Sequence, residues 1–173
     1  MNPVVVPDRE AMQRLGERLA AVLAPGDLVV LSGGLGAGKT TLTQGIGRGL
    51  RVRGEVTSPT FVIARVHPST VGGPALVHVD AYRLSSLDEV DDLDLDASLE
   101  DSVTIVEWGE GKVEGLAEDR LVVHVERPTG ATAGADVDGP SDTAEPRTVT
   151  VSTVGARWTD VDVTSFLAAV VAP

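Results

Sequence analysis

The sequence has 173 residues, 42% of them hydrophobic, with 14 basic and 26 acidic side chains, a formal net charge of −12 and no cysteine. This length and apolar content predict a single domain over 1–173 that buries its own core. The absence of cysteine excludes disulfides, thiolate metal sites and cysteine nucleophiles, and the negative charge argues against holding nucleic acid by neutralising its phosphates unaided.

The N-terminus, Met1 to Asp8, has no basic region followed by an apolar run, and no stretch approaches about 18 apolar residues. A soluble, cytoplasmic chain with no membrane contact is therefore expected. After a short extended start, Asp8 is placed to cap a helix whose apolar positions Met12, Leu15, Leu19, Val22 and Leu23 step by three and four. Pro25-Gly26 should end it. Asp27–Ser32 reads as a buried strand, and it leads into Gly33-Gly34-Leu35-Gly36-Ala37-Gly38-Lys39-Thr40.

Those eight residues fit the phosphate-loop pattern G-x-x-x-x-G-K-[ST]. Glycine lets the backbone approach a polyphosphate with no Cβ in the way, so that successive N–H groups converge on its oxygens. Lys39 supplies a mobile positive charge, Thr40 a hydroxyl for Mg²⁺, and the helix expected from Lys39 turns its positive end to the phosphates. A nucleotide triphosphate site follows. That helix carries Leu42, Ile46 and Leu50 on one stripe, yet Gly45, Gly47 and Gly49 each cost roughly 1 kcal/mol against alanine. Its far end should be either frayed or closely packed.

Arg51–Val56 reads as a connection, and Thr57-Ser58-Pro59-Thr60-Phe61 as a hydroxyl-rich loop, since Pro59 cannot donate to a ladder. Phe61–Val66 and Ala75–Val79 suggest a hairpin, with His67 solvated beside its turn. His78 and His124 are expected on the second faces of strands rather than in catalysis. Asp80-Ala81-Tyr82-Arg83-Leu84 places an acid at a strand end, where a phosphate-loop protein commonly holds Mg²⁺ through water and where an aspartate can otherwise cap a helix or turn. Ser86 and Glu89 have capping-box spacing, and the eight acidic residues from Asp88 to Asp101 form a solvated face or a docking surface for a basic partner. Ser102–Gly109 gives a third strand ending in Glu107 beside Trp108, so two carboxylates and Thr40 make an oxygen-rich magnesium site. Arg120–Glu126 and Arg147–Val154 alternate as an antiparallel C-terminal hairpin. Pro128–Pro146 reads as a long mobile insertion between them, and a short helix is expected from Thr159 or Asp160 to about Val170. The fold class is α/β: a phosphate-loop NTPase-like central mixed sheet flanked by helices.

The ordered set Gly33–Thr41, Ser58-Pro59-Thr60-Phe61, Asp80-Ala81-Tyr82-Arg83-Leu84 and Glu107-Trp108 resembles the bacterial TsaE family, over roughly residues 8 to 126. The resemblance implies a small ATPase that acts with the TsaB–TsaD complex in threonylcarbamoyl modification of the adenosine next to the anticodon, in tRNAs reading ANN codons. It would not transfer the group itself; its hydrolysis of ATP would reset the complex between rounds, and tRNA would be reached only through that complex. By position, the resemblance gives Gly33, Gly36, Ala37, Gly38, Lys39, Thr40 and Thr41 to the ATP phosphates, Thr40 and Glu107 to Mg²⁺, and Asp80 to the edge of the metal shell or the attacking water. Trp108 would lie beside the nucleotide, and Ser58, Pro59, Thr60 and Phe61 with Tyr82 and Arg83 would form a nucleotide-sensitive partner loop. Family members commonly carry Asp where this chain has Gly34, and the Pro128–Pro146 insertion is longer than the family hairpin.

Two other functions fit a compact phosphate-loop chain. A small-molecule kinase needs a substrate pocket and an arginine-bearing lid to shield transfer from water, whereas the long insertion here has Arg147 only at its edge. A nucleotide-dependent scaffold with negligible turnover would dock through the acidic stretch.

Overall fold

Leu28–Leu31 is a run of four apolar residues, which suits a strand covered on both faces, and in the computed structural model it becomes the centre of the sheet. The structure describes residues 3–60, 63–84, 99–128 and 145–163. In chain order these form β1 (Val4–Val6), α1 (Arg9–Ala20), β2 (Leu28–Ser32), α2 (Lys39–Gly49), β3 (Ala64–His67), β4 (Ala75–Asp80), β5 (Ser102–Glu107), β6 (Arg120–Glu126) and β7 (Arg147–Val154), with 3₁₀ turns at Ala81–Arg83 and Ala156–Trp158. The seven strands are ordered β1-β7-β6-β2-β5-β4-β3. Pairs β2–β5, β2–β6 and β4–β5 are parallel; pairs β1–β7, β6–β7 and β3–β4 are antiparallel. The expected mixed sheet and C-terminal hairpin are both present.

Both described helices lie over one face. Met12, Leu15 and Leu19 of α1 and Leu42 and Ile46 of α2 share a core with Val29, Leu31, Val103, Ile105, Leu121, Val123 and Val149. The intervening residues Leu28, Val30, Val77, Val79 and Val106 face the other way, under Leu84 and Val113, as the two-residue period of a strand requires. Asp8 caps α1 as expected, its Oδ1 accepting from the Ala11 N–H at 2.7 Å. The helix stops at Ala20, so Val22 and Leu23 belong to the turn that follows.

Glycine explains how α2 meets α1. A Cβ on Gly16 would run into the Leu42 carbonyl, and one on Gly45 into the Gln13 carbonyl. The helices therefore touch backbone to backbone, and of the two alternatives for the far end of α2 the structure has close packing.

The β3–β4 hairpin starts later than Phe61. Ile63 takes φ 68°, a costly value for a β-branched residue, and its N–H bonds the Pro59 carbonyl at 2.7 Å. Phe61 itself lies outside the described residues. Arg51–Val56 is more than a connection, because Val52 bridges Ser69 and Arg53 N–H bonds the Pro68 carbonyl at 2.8 Å. That packing buries His67 to 3% exposure and corrects the expectation that it is solvated. The Ser86–Glu89 box, most of the acidic stretch, the interior of the Pro128–Pro146 insertion and the expected terminal helix beyond Val163 lie outside the described residues, but Thr159 and Asp160, where that helix is expected to start, form a turn after Ala156–Trp158 instead. Among the described residues no helix is long and apolar enough to cross a membrane.

Candidate nucleotide-binding site

Three parallel strands end at one edge of the sheet and set the site. β2 delivers Ser32 and the loop Gly33–Gly38, β4 delivers Asp80, and β5 delivers Glu107 and Trp108. This is the carboxyl edge, where ligands bind in open α/β sheets. Asp80 and Glu107 are register partners on adjacent strands, so both side chains leave the same face of the sheet.

The loop's backbone depends on glycine at Gly33, with φ 132°, where an added Cβ would strike the Val125 carbonyl, and at Gly38, with φ 111°. Gly38 caps α2 without a side-chain bond. The first N–H groups of α2, at Lys39, Thr40 and Thr41, have no carbonyl one turn back within the helix and are available to an anion. Gly34 has open space around it, so the family's common aspartate at this position would fit.

Lys39 is folded onto its own loop. Its Nζ donates to the carbonyls of Gly33 at 2.8 Å and Gly34 at 2.9 Å and lies 3.7 Å from the centroid of the Trp108 ring. Burial lowers its pKa, opposed by the nearby charges of Glu107 and Asp80. Trp108 holds φ 62°, an uncommon backbone for an aromatic residue, fixed in part by its N–H bonding the Leu31 carbonyl at 3.0 Å. Tyr82 packs edge-on against it with ring centroids 5.1 Å apart.

The carboxylates are held by hydroxyls. Thr40 Oγ1 donates to Glu107 Oε1 at 2.9 Å, and Thr60 Oγ1 donates to Asp80 Oδ2 at 2.6 Å. Ser58 Oγ reaches the same Oδ2 at 3.3 Å, while Asp80 Oδ1 accepts from the Tyr82 N–H at 3.0 Å. A cavity of about 440 Å³ is lined by Gly36 through Thr41, Ser58, Thr60, Asp80, Tyr82, Glu107 and Trp108. Gly33 borders a neighbouring cavity of about 640 Å³ that shares Tyr82 and Trp108 with the first. Pro59 is buried behind the loop, and Arg83 is exposed on the 3₁₀ turn without lining either cavity.

These donors fit Mg²⁺ and a polyphosphate. Mg²⁺ prefers hard oxygen ligands and is usually held by one or two carboxylates plus phosphate and water, and here a threonine hydroxyl and two carboxylates meet beside the glycine-rich loop and the first N–H groups of α2. Among the described residues no three His, Cys, Asp or Glu side chains form a cage, and such a site needs none.

One participant is absent from the sequence reading. His78, expected merely to fill a strand face, is fully buried, and its Nε2 lies 2.8 Å from Glu107 Oε1. The signal was present in the spacing His78-x-Asp80, which puts both side chains on one face of β4. His124 lies at the site's other flank, its Nδ1 2.7 Å from Ser32 Oγ and its Nε2 3.1 Å from Glu126.

Residues 6–133 match the sequence profile of the family described as "Threonylcarbamoyl adenosine biosynthesis protein TsaE". The chain belongs to the TsaE family. It is 63% identical over 153 residues to the tRNA threonylcarbamoyladenosine biosynthesis protein TsaE of Streptomyces coelicolor, covering 88% of this chain and 97% of that one. It is 53% identical to the Mycobacterium tuberculosis H37Rv TsaE over 70% of this chain and 77% of that one. The crystal structure of Bacillus subtilis YdiB superposes with a TM-score of 0.68 at 29% identity, covering 97% of this chain and 94% of the other. The TsaE profile spans the phosphate loop, Asp80, Glu107 and β6, so it takes in every strand that builds the site.

Proposed function

We propose that this chain binds and hydrolyses Mg–ATP as the ATPase subunit of tRNA threonylcarbamoyladenosine biosynthesis, the process for which its TsaE relatives are named. It acts with the TsaB–TsaD complex and resets it between rounds, in the cytoplasm, as a single domain that meets tRNA only through that complex. The observation that carries this reading is the Thr40–Glu107 contact beside Asp80, at the mouth of the phosphate loop.

Gly36 to Thr41 hold the phosphates through backbone N–H groups, and Lys39 exchanges the carbonyls of Gly33 and Gly34 for phosphate oxygens. Thr40 and Glu107 hold Mg²⁺, which when bound neutralises charge on the β- and γ-phosphates. Asp80, its carboxylate fixed by Thr60 and Tyr82 N–H, orients the attacking water. That water forms a P–O bond to the γ-phosphorus as the bond to the β-phosphate oxygen breaks, releasing phosphate and ADP. Trp108 covers the nucleotide, and Ser58–Phe61 with Tyr82 and Arg83 carry nucleotide state to the partner.

No arginine lines the cavity among the described residues. Arg127 lies beside the loop, its Nη1 3.7 Å from where a Cβ on Gly36 would sit, and is paired with Glu145 at 2.7 Å. A positive charge delivered in trans is worth roughly 10³-fold or more in phosphate-loop hydrolases, so the isolated chain is a slow ATPase. Phosphate release measured with and without TsaB–TsaD tests this. Stimulation by the complex supports the reading, whereas equal, rapid turnover in both, or phosphate transferred to a metabolite, contradicts it.

A further inference from the structure

We propose that His78 is a positioning residue that orients the Glu107 carboxylate toward Mg²⁺; this rests on the reading of Thr40 and Glu107 as metal ligands. Two donors converge on Glu107 Oε1, the Thr40 hydroxyl at 2.9 Å and the His78 Nε2–H at 2.8 Å. The other ring nitrogen of His78, Nδ1, is buried without a hydrogen-bond partner. Because a carboxylate oxygen only accepts, the Nε2 that faces it carries a proton and donates it. The ring is thus committed to one contact.

A glutamate's terminal torsion is broad, so without such a contact its two oxygens exchange freely. Both partners are almost fully enclosed, His78 at 0% and Glu107 at 3% exposure. Glu107 lines the cavity, and with Oε1 shared by Thr40 and His78, Oε2 is the oxygen left for the metal. His78 does not line the cavity and reaches it only through Glu107. Imidazole N–H groups that orient a metal-binding carboxylate act on metal affinity, and losing such a partner typically costs 10- to 100-fold.

The test is calorimetric titration of the non-hydrolysable β,γ-imido analogue of ATP into parent, His78→Leu, His78→Asn and His78→Gln, each in excess Mg²⁺ and in EDTA. The readout is the gain in affinity from Mg²⁺. In His78→Leu, and in His78→Asn, whose amide is too short to reach Oε1, the gain is expected to fall about tenfold or more. His78→Gln, whose amide N–H₂ reaches the same oxygen, is expected to retain it within about threefold. Binding in EDTA should stay close to the parent's in all three. A parental gain in His78→Leu or His78→Asn overturns the proposal. So does a loss that appears equally in EDTA, which would make the histidine a support for the fold alone. Glu107→Gln separates this from the underlying reading: a parental gain there removes the metal assignment itself, whereas a reduced gain in Glu107→Gln beside a parental one in His78→Leu removes only the role of His78.

Discussion

Gly45→Ala should destabilise the protein even though alanine is the better helix former. Exchanging glycine for alanine inside α2 contributes about 1 kcal/mol of helix propensity. Against it, the new Cβ would sit 2.8 Å from the Gln13 carbonyl carbon and 2.9 Å from the Gln13 Cα, well inside ordinary contact. Both atoms are backbone, so no rotamer change relieves the overlap, and Gly16 on the facing helix is as tightly placed, since a Cβ added there would lie 2.7 Å from the Ile46 backbone nitrogen. The helices must separate. A gap of even half an ångström forfeits a substantial part of the dispersion energy at each contact, and overpacking of this kind costs about 3 kcal/mol. The net loss is about 2 kcal/mol, which for a chain of this size lowers the melting temperature by roughly 4–8 °C. Circular dichroism melts of parent and variant measure it, with Gly34→Ala, which meets nothing within 4 Å, expected to melt with the parent. A Gly45→Ala variant that melted at or above the parent would refute the backbone-to-backbone contact of α1 and α2.

Asp8→Ala removes the side-chain acceptor from the Ala11 N–H and should cost about 1 kcal/mol, read as a drop of roughly 2–4 °C in the same melts. His67 should make stability sensitive to acid, because burial holds its pKa below 6.5. The unfolded chain then binds more protons than the folded one below pH 6.5, so stability is complete above that pH and is lost as pH falls toward the lowered value. His67→Gln should therefore lose less melting temperature than the parent between pH 7.5 and 5.5. Equal losses would show that His67 does not titrate on unfolding.

Much of the site could be read from the chain because its chemistry is local. The phosphate loop needs glycine where φ is positive and lysine with threonine at the start of α2, and all of it lies within eight consecutive residues. Asp80 and Glu107 were legible as acids ending apolar strands, and their pairing follows from the register of β4 and β5. What remained hidden depends on contacts between distant segments. The glycines of α2 signalled either fraying or close packing, and only the facing Gly16 and Gln13 of α1 decide it. His67 looked exposed beside a turn because nothing local reveals that Arg51–Arg53 folds over it. His78 looked like strand filling because its partner is 29 residues away. The placement of β1 beside β7, joining residues near opposite ends of the chain, has no local signature either.

The central claim is that Lys39 and Thr40 bind and turn over Mg–ATP at the carboxyl edge of the sheet. Steady-state phosphate release from Mg–ATP in the presence of TsaB–TsaD, compared among parent, Lys39→Ala and Thr40→Ala, tests it most directly. The parent should release phosphate only when Mg²⁺ is present, and both variants should fall to background while melting within a few degrees of the parent, since neither residue belongs to the hydrophobic core. Parental turnover in either variant, with unchanged dependence on Mg²⁺, would contradict the assignment of the site.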